Sequence, residues 1–167
     1  MFLLNPISNS IVAAMMALAA AAAISDIRGY RIPNLLNLAI LALYPVYVIA
    51  HAGPIDWPLA LVIALGAFVI ALVLFMFGFI GGGDAKMMTV MALWAGPDLI
   101  IDFIFIMSIA GAVIAIVMLT SARHALALAC ESVGQWRLRQ VLLGDVLPYG
   151  IAVAAGGIFV GIRLLQV

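Results

Sequence analysis

Two aspartates lie at the edges of apolar runs. Asp26 stands ahead of Arg28-Gly29-Tyr30-Arg31, and Asp84 lies inside Gly81-Gly82-Gly83-Asp84-Ala85-Lys86. A carboxylate at a membrane boundary is costly, and an ionisable residue in such a place points to function. Two brought together cannot both ionise cheaply, so they titrate as one unit. The ionised member can take a proton from water while the protonated member polarises a peptide carbonyl. That chemistry hydrolyses an amide with no covalent intermediate, metal or cofactor. The glycines before Asp84 weaken helix and remove side-chain bulk, so an extended substrate backbone could lie against them. Irregular backbone at membrane depth is tolerated only when buried in protein or facing a wet cavity, so Gly81 to Gly83 predict a wet pocket or a bound partner. Asp84 also falls near the N-terminus of the next helix, where the dipole favours a carboxylate. A plain turn with Asp84 as its cap would explain this segment alone; Asp26 on the same side favours the functional reading.

The elements that must position these groups are membrane helices. The chain of 167 residues is 68% hydrophobic and 8% charged, against about 45–50% and about 25% for ordinary soluble domains. The expected fold class is therefore all-α, a polytopic membrane protein of about six transmembrane helices in a single domain over 1–167. About 20 helical residues cross the hydrocarbon core. The spans read as Ser8 to Ser25, Asn34 to Ala50, Pro58 to Ile80, a short fourth piece from Ala85 to Ala95, Leu99 to Leu119, and Val146 to Leu165. His51 to Trp57 and Gly96-Pro97-Asp98 are turns, and Ser121 to Asp145 is a polar connection whose Trp136, Arg137 and Arg139 suit the headgroup interface. No Lys or Arg precedes Arg28, so the N-terminus lacks the basic region of a signal peptide and reads as a retained span.

With the N-terminus outside, six of the seven basic residues fall inside, and only Arg163 falls outside. That orientation requires the short fourth segment to cross. It puts Asp26 and Asp84 at one membrane depth on the inner side. Asp56 and Asp98 fall on outer loops, and Asp102 near the outer end of the fifth span. Asp145 is the best third carboxylate on the inner side, although it also suits a helix start. Pro33-Asn34 opens the second span, with proline tolerated in a first turn. Arg28 and Arg31 read first as topology determinants. Lys86 could tune Asp84, meet an acidic substrate residue, or snorkel to the surface. A lone Cys130 forbids an internal disulfide or a Cys-x-x-Cys zinc site, and His51 and His124 show no ligand spacing. No metal site and no cofactor are expected. Zero net charge leaves no nucleic-acid footprint.

These residues together resemble the type IV prepilin peptidases. Asp26 with Arg28, Arg31 and Ile32-Pro33-Asn34 is similar to the family's first-aspartate motif. Gly81-Gly82-Gly83-Asp84-Ala85-Lys86 is similar to its Gly-x-Gly-Asp-x-Lys motif. Pro148-Tyr149-Gly150 is similar to its C-terminal Pro-Tyr-Gly element. The resemblance implies an intramembrane aspartyl protease of the inner membrane that removes prepilin or pseudopilin leaders at the cytoplasmic face, with Asp26 and Asp84 as the catalytic pair and the lipid bilayer as its surroundings. It also implies a cut that follows a glycine, commonly with a glutamate near the new N-terminus, which Arg28 or Lys86 could meet. Long members of the family carry a cytoplasmic insertion, often with two Cys-x-x-Cys zinc pairs, and methylate the new N-terminus. Here only Gly29 to Ile32 separates the first two spans. The resemblance is therefore to the short enzymes of tight-adherence (Flp) pili, with peptidase and no methyltransferase activity. The archaeal preflagellin peptidases share the dyad but commonly carry extra segments. Presenilin-type enzymes share Gly-x-Gly-Asp but are longer and carry a Pro-Ala-Leu element.

Two other classes fit parts of the pattern. A small channel or transporter subunit would use broken helices, but its polar groups belong at the midplane and its halves often repeat. A structural subunit of a pilus machine would need no carboxylate pair.

Overall fold

The computed structural model describes residues 6–29, 31–120, 123, 127, 128, 131 and 148–166. The described segments are mostly helical, and short turns join the first four helices. The helices are α1 (Pro6–Gly29), α2 (Asn34–Ala50), α3 (Trp57–Met76), α4 (Gly82–Leu119) and α5 (Tyr149–Leu164). Helices α1, α3 and α4 are long and apolar enough to cross a membrane, while α2 and α5 are shorter apolar helices. Most of the polar connection expected over Ser121 to Asp145, with Cys130, His124 and Asp145, lies outside the described residues.

Local chemistry sets the ends. Pro6 opens α1, and Pro33 stands at the cap of α2, where a missing N–H costs nothing. Helix α1 does not stop at Ser25 as expected but continues to Gly29, so Asp26 lies inside its last turns. Asp56, in the turn before α3, caps that helix: its Oδ1 accepts from the Leu59 N–H at 3.1 Å. Helix α3 ends four residues short of Ile80. Gly78 takes a φ of 76°, and its N–H donates to Phe75 O while the Phe79 N–H donates to Leu74 O, both at 2.9 Å. This pair of bonds closes the last carbonyls and needs a left-handed residue.

Helix α4 consists of two arms. Gly96 has φ 56° and ψ −166°, outside helix, and Pro97 follows it. A proline cannot donate to the preceding turn, and glycine takes the left-handed φ without steric cost. The first arm, residues 82–95, lies beside α2. Asn37 Nδ2 donates to Gly83 O at 3.3 Å, and Trp94 Nε1 donates to Ile40 O at 3.1 Å. The arm also runs along α3: a Cβ at Gly82 would lie 3.4 Å from Phe75, and one at Gly96 would lie 3.8 Å from Ala60. Trp94 packs against Tyr44 and Tyr47, with ring centroids 5.6 and 5.2 Å apart. The arm thus starts at the end of the molecule that holds Ile32 and Asn34. It finishes near His51 and Asp56, where the Gly96-Pro97-Asp98 corner shares a cavity with them.

The core forms where α5 meets α1 and both arms of α4. Met15, Met91, Phe103 and Val160 are fully buried there. Gly156 permits the approach: a Cβ on it would lie 2.9 Å from the Phe103 ring and 3.0 Å from the Phe103 carbonyl oxygen. A backbone atom cannot swing aside as a side chain can, so Gly156→Ala should destabilise the protein by about 1–3 kcal/mol. At Gly66 a Cβ meets nothing within 4 Å. Thermal unfolding in detergent should show a lowered midpoint for Gly156→Ala and none for Gly66→Ala.

Candidate active site

Asp26 and Asp84 come from separate helices to one cavity. Its volume is about 460 Å³, and its lining includes Asp26, Arg31, Asn34, the three glycines and Asp84. Both aspartates are buried, Asp26 to 4% exposure and Asp84 to 9%. A charge withdrawn from water this far must be compensated by hydrogen bonds or partners.

Each receives one backbone N–H from a glycine. The Gly150 N–H donates to Asp26 Oδ2 at 2.9 Å, and the Gly81 N–H donates to Asp84 Oδ2 at 3.2 Å. Neither glycine can be replaced without displacing the carboxylate it serves. A Cβ on Gly150 would fall 2.8 Å from Asp26 Oδ2, and one on Gly81 would fall 2.9 Å from Asp84 Oδ2. Asp84 is the third residue of its helix, so the bond it accepts from the Gly81 N–H also caps that helix's first turn, in a place where the dipole favours negative charge. The cap and the candidate site are therefore one structure. Only one oxygen is used in capping, and Asp84 Oδ1 is buried with no hydrogen-bond partner among the described residues.

The turn between α1 and α2 sets the opposite wall. Ser25 Oγ donates to Arg31 O at 2.9 Å, holding the turn against the end of α1. Ile32 is buried, and its backbone lies against Gly83, where a Cβ would come within 3.2 Å of Ile32 Cβ and 3.4 Å of Ile32 N. Gly83 thus lets two backbone segments touch, while its carbonyl is held by Asn37.

The expected site residues separate into three groups. Asp26, Asp84, Gly81, Gly82, Gly83, Pro33 and Asn34 line the cavity together. Pro148 caps α5, Tyr149 starts it half-buried, and Gly150 reaches the cavity's edge through Asp26. Lys86 and Arg28 are exposed and line no part of it. Lys86 Nζ donates instead to Asn34 Oδ1 at 2.8 Å, joining α4 to the start of α2. Arg31, read first as a topology determinant and part of the first-aspartate motif, is the basic residue on the cavity wall. Asn37 was not singled out, although its signal was present: an amide inside an otherwise apolar span needs a partner. Among the described residues, no group of three or more His, Cys, Asp or Glu is placed to hold a metal ion.

A pair of buried aspartates, each held by a glycine amide, thus lies at one end of a helical bundle that contains helices long and apolar enough to cross a membrane. Residues 13–116 match the type IV leader peptidase family, and the chain belongs to that family. The matched stretch contains both aspartates but ends before Gly150. Searches among curated proteins and solved structures gave no match.

The Gly150 N–H separates a carboxylate's structural role from any chemical one. Asn at position 26 can still accept that bond, whereas Ala leaves a buried donor unpaired, at a cost of about 1–3 kcal/mol. Unfolding measurements should place Asp26→Asn near the parent protein and Asp26→Ala well below it.

Proposed function

We propose that this chain is an intramembrane aspartyl endopeptidase that removes the leader of type IV, Flp-like prepilins at the cytoplasmic face of the inner membrane. The carrying observation is that Asp26 and Asp84, far apart in sequence, line the same cavity beside a glycine backbone. In the mechanism, one ionised carboxylate takes a proton from a water molecule as that water attacks the scissile carbonyl carbon. The other, protonated, donates to the carbonyl oxygen. The tetrahedral intermediate collapses with cleavage of the C–N bond, and a carboxyl proton passes to the leaving amine. Gly81 to Gly83 leave room for the substrate backbone to approach in extended form.

The reading extends to topology. Six crossings follow if the two arms of α4 traverse separately, with the N-terminus outside. The first arm supports this by running beside α2 from Asn37, which holds Gly83, to Tyr47, which packs on Trp94. Arg28, Arg31 and Lys86 then lie with the aspartates on the cytoplasmic side. One transmembrane peptidase domain, with no room between α1 and α2 for a zinc-binding insertion, fits cleavage without methylation.

Asp26→Asn and Asp84→Asn should each abolish leader removal while the protein remains inserted at its normal level, with uncut prepilin accumulating on immunoblots. Normal processing in either variant would overturn the assignment, and a structural or channel subunit predicts that outcome. Lys86, bonded to the cavity-lining Asn34, is one cation that a substrate glutamate could meet, and Arg31 on the cavity wall is another. A double-mutant comparison of Lys86→Ala with a Glu-to-Gln prepilin should give losses well short of additive. Full additivity would exclude the contact.

A further inference from the structure

A second cavity lies at the end of the bundle away from the aspartates. The turn after α2, the start of α3, the kink of α4 and the end of α5 meet there. Its volume is about 360 Å³, within the range of small-ligand sites, about 300–1,000 Å³. Tyr44, Tyr47 and Trp94 give it buried ring surface, and His51 lies against Tyr47 with ring centroids 5.2 Å apart. Asp56, Asp98 and Arg163 line it too and are exposed. The two tyrosines are only 7% and 5% exposed, yet neither hydroxyl has a hydrogen-bond partner among the described residues, and neither is sealed from solvent. A hydroxyl in so buried a side chain needs a partner, and the cavity is where these two can find one. Among the described residues, Arg163 forms no ion pair with either carboxylate. Opposite charges therefore line one cavity without neutralising each other.

Aromatic faces and carboxylates both attract an ammonium ion. A guanidinium and phenol hydroxyls are donors that suit a phosphate. With two carboxylates to one guanidinium in the lining, an anion alone meets net repulsion, and a cation alone leaves Arg163 without a counterpart. A ligand with an ammonium and a phosphate a few bonds apart satisfies both signs. The cavity sits among helix ends, which belong at a membrane boundary. Trp57, beside Asp56, is 51% exposed, and tryptophan favours the headgroup level. We infer that this cavity binds the headgroup of a zwitterionic aminophospholipid. The ammonium lies towards Asp98 and Asp56, and the phosphate takes bonds from Arg163 and the tyrosine hydroxyls. Asp56 has an oxygen to spare, since only Oδ1 caps α3. Arg163 is the one basic residue that charge counting leaves on the outer side, and a phosphate gives it a counterpart there. The site goes beyond the peptidase reading and shares with it only the membrane-spanning helices.

The test titrates the full chain in detergent micelles with short-chain phosphatidylethanolamine or phosphatidylglycerol and counts bound lipid by native mass spectrometry. Phosphatidylethanolamine should bind about tenfold more tightly, because phosphatidylglycerol has the phosphate but no ammonium. Arg163→Gln should weaken binding of both lipids by about tenfold, and Asp98→Asn should weaken phosphatidylethanolamine alone by about as much. Both side chains are exposed, so both variants should keep the parent's unfolding midpoint in lipid-free detergent. Arg28→Gln, exposed at the other end of the bundle, should leave both affinities unchanged. Equal affinity for the two lipids, or unchanged phosphatidylethanolamine binding in either Arg163→Gln or Asp98→Asn, would overturn the site. Glycerophosphoethanolamine carries the same charges without acyl chains. If it displaces the lipid at matched concentration, the cavity takes a soluble zwitterion and the lipid assignment falls; failure to displace supports the lipid. Leader cleavage enters none of these readouts, so loss of the peptidase reading would leave them standing.

Discussion

The site depends on two glycine amides. A carboxylate buried away from water needs a donor, and here each aspartate takes one from a backbone that a side chain would push away. Gly150 serves Asp26 across 124 positions of chain, while Gly81 serves Asp84 across three. The long-range bond imposes the greater demand. It brings the start of the last helix against the end of the first, and the glycine-lined packing of α5 on α1 and on the second arm of α4 makes that approach possible. The Gly150 amide also explains why a short element outside the matched family region belongs to the site.

The kink at Gly96-Pro97 is the second constraint. It ends the first arm after 14 or so residues, about 20 Å at the helical rise. The corner is anchored away from the aspartates by Trp94, which packs edge-to-face with Tyr44, lies tilted against Tyr47 and donates to Ile40 O. That bond lies one residue from Leu41, whose carbonyl loses its helical donor to Pro45. Side-chain amides and indoles thus tie the arm to α2 at both ends, through Asn37 and Trp94. With its two ends fixed, the arm sets the position of Asp84 at its first turn.

Much of this was legible in the residues, for identifiable reasons. The bounds of α2 follow from Pro33 and from the polar turn after Ala50, and the break at Gly96-Pro97 follows from glycine and proline chemistry. The two aspartates stood out because charge is rare in apolar sequence. Helix ends without such punctuation were less legible: α1 continues through Asp26 because nothing before Gly29 stops it, and α3 stops early at a left-handed Gly78 that apolar composition conceals. The roles of Arg31 and Arg28 depend on which side of a helix end faces the cavity, which charge counting does not resolve. Asn37 and Gly150 act through tertiary contacts, and no local pattern specifies either partner.

Asn34 marks the boundary between two solvents. On one side lies a cavity with carboxylates and open glycine backbone, and on the other an apolar groove along α2 that Leu38, Leu41 and Phe68 help to line. Lys86 holds that boundary, its Nζ donating to Asn34 Oδ1 from α4 to the start of α2. The two aspartates therefore sit at one end of the bundle, where a polar cavity adjoins an apolar helix face. Burial there withdraws both carboxylates from most water, while the small glycines beside Asp84 leave the cavity room on that side.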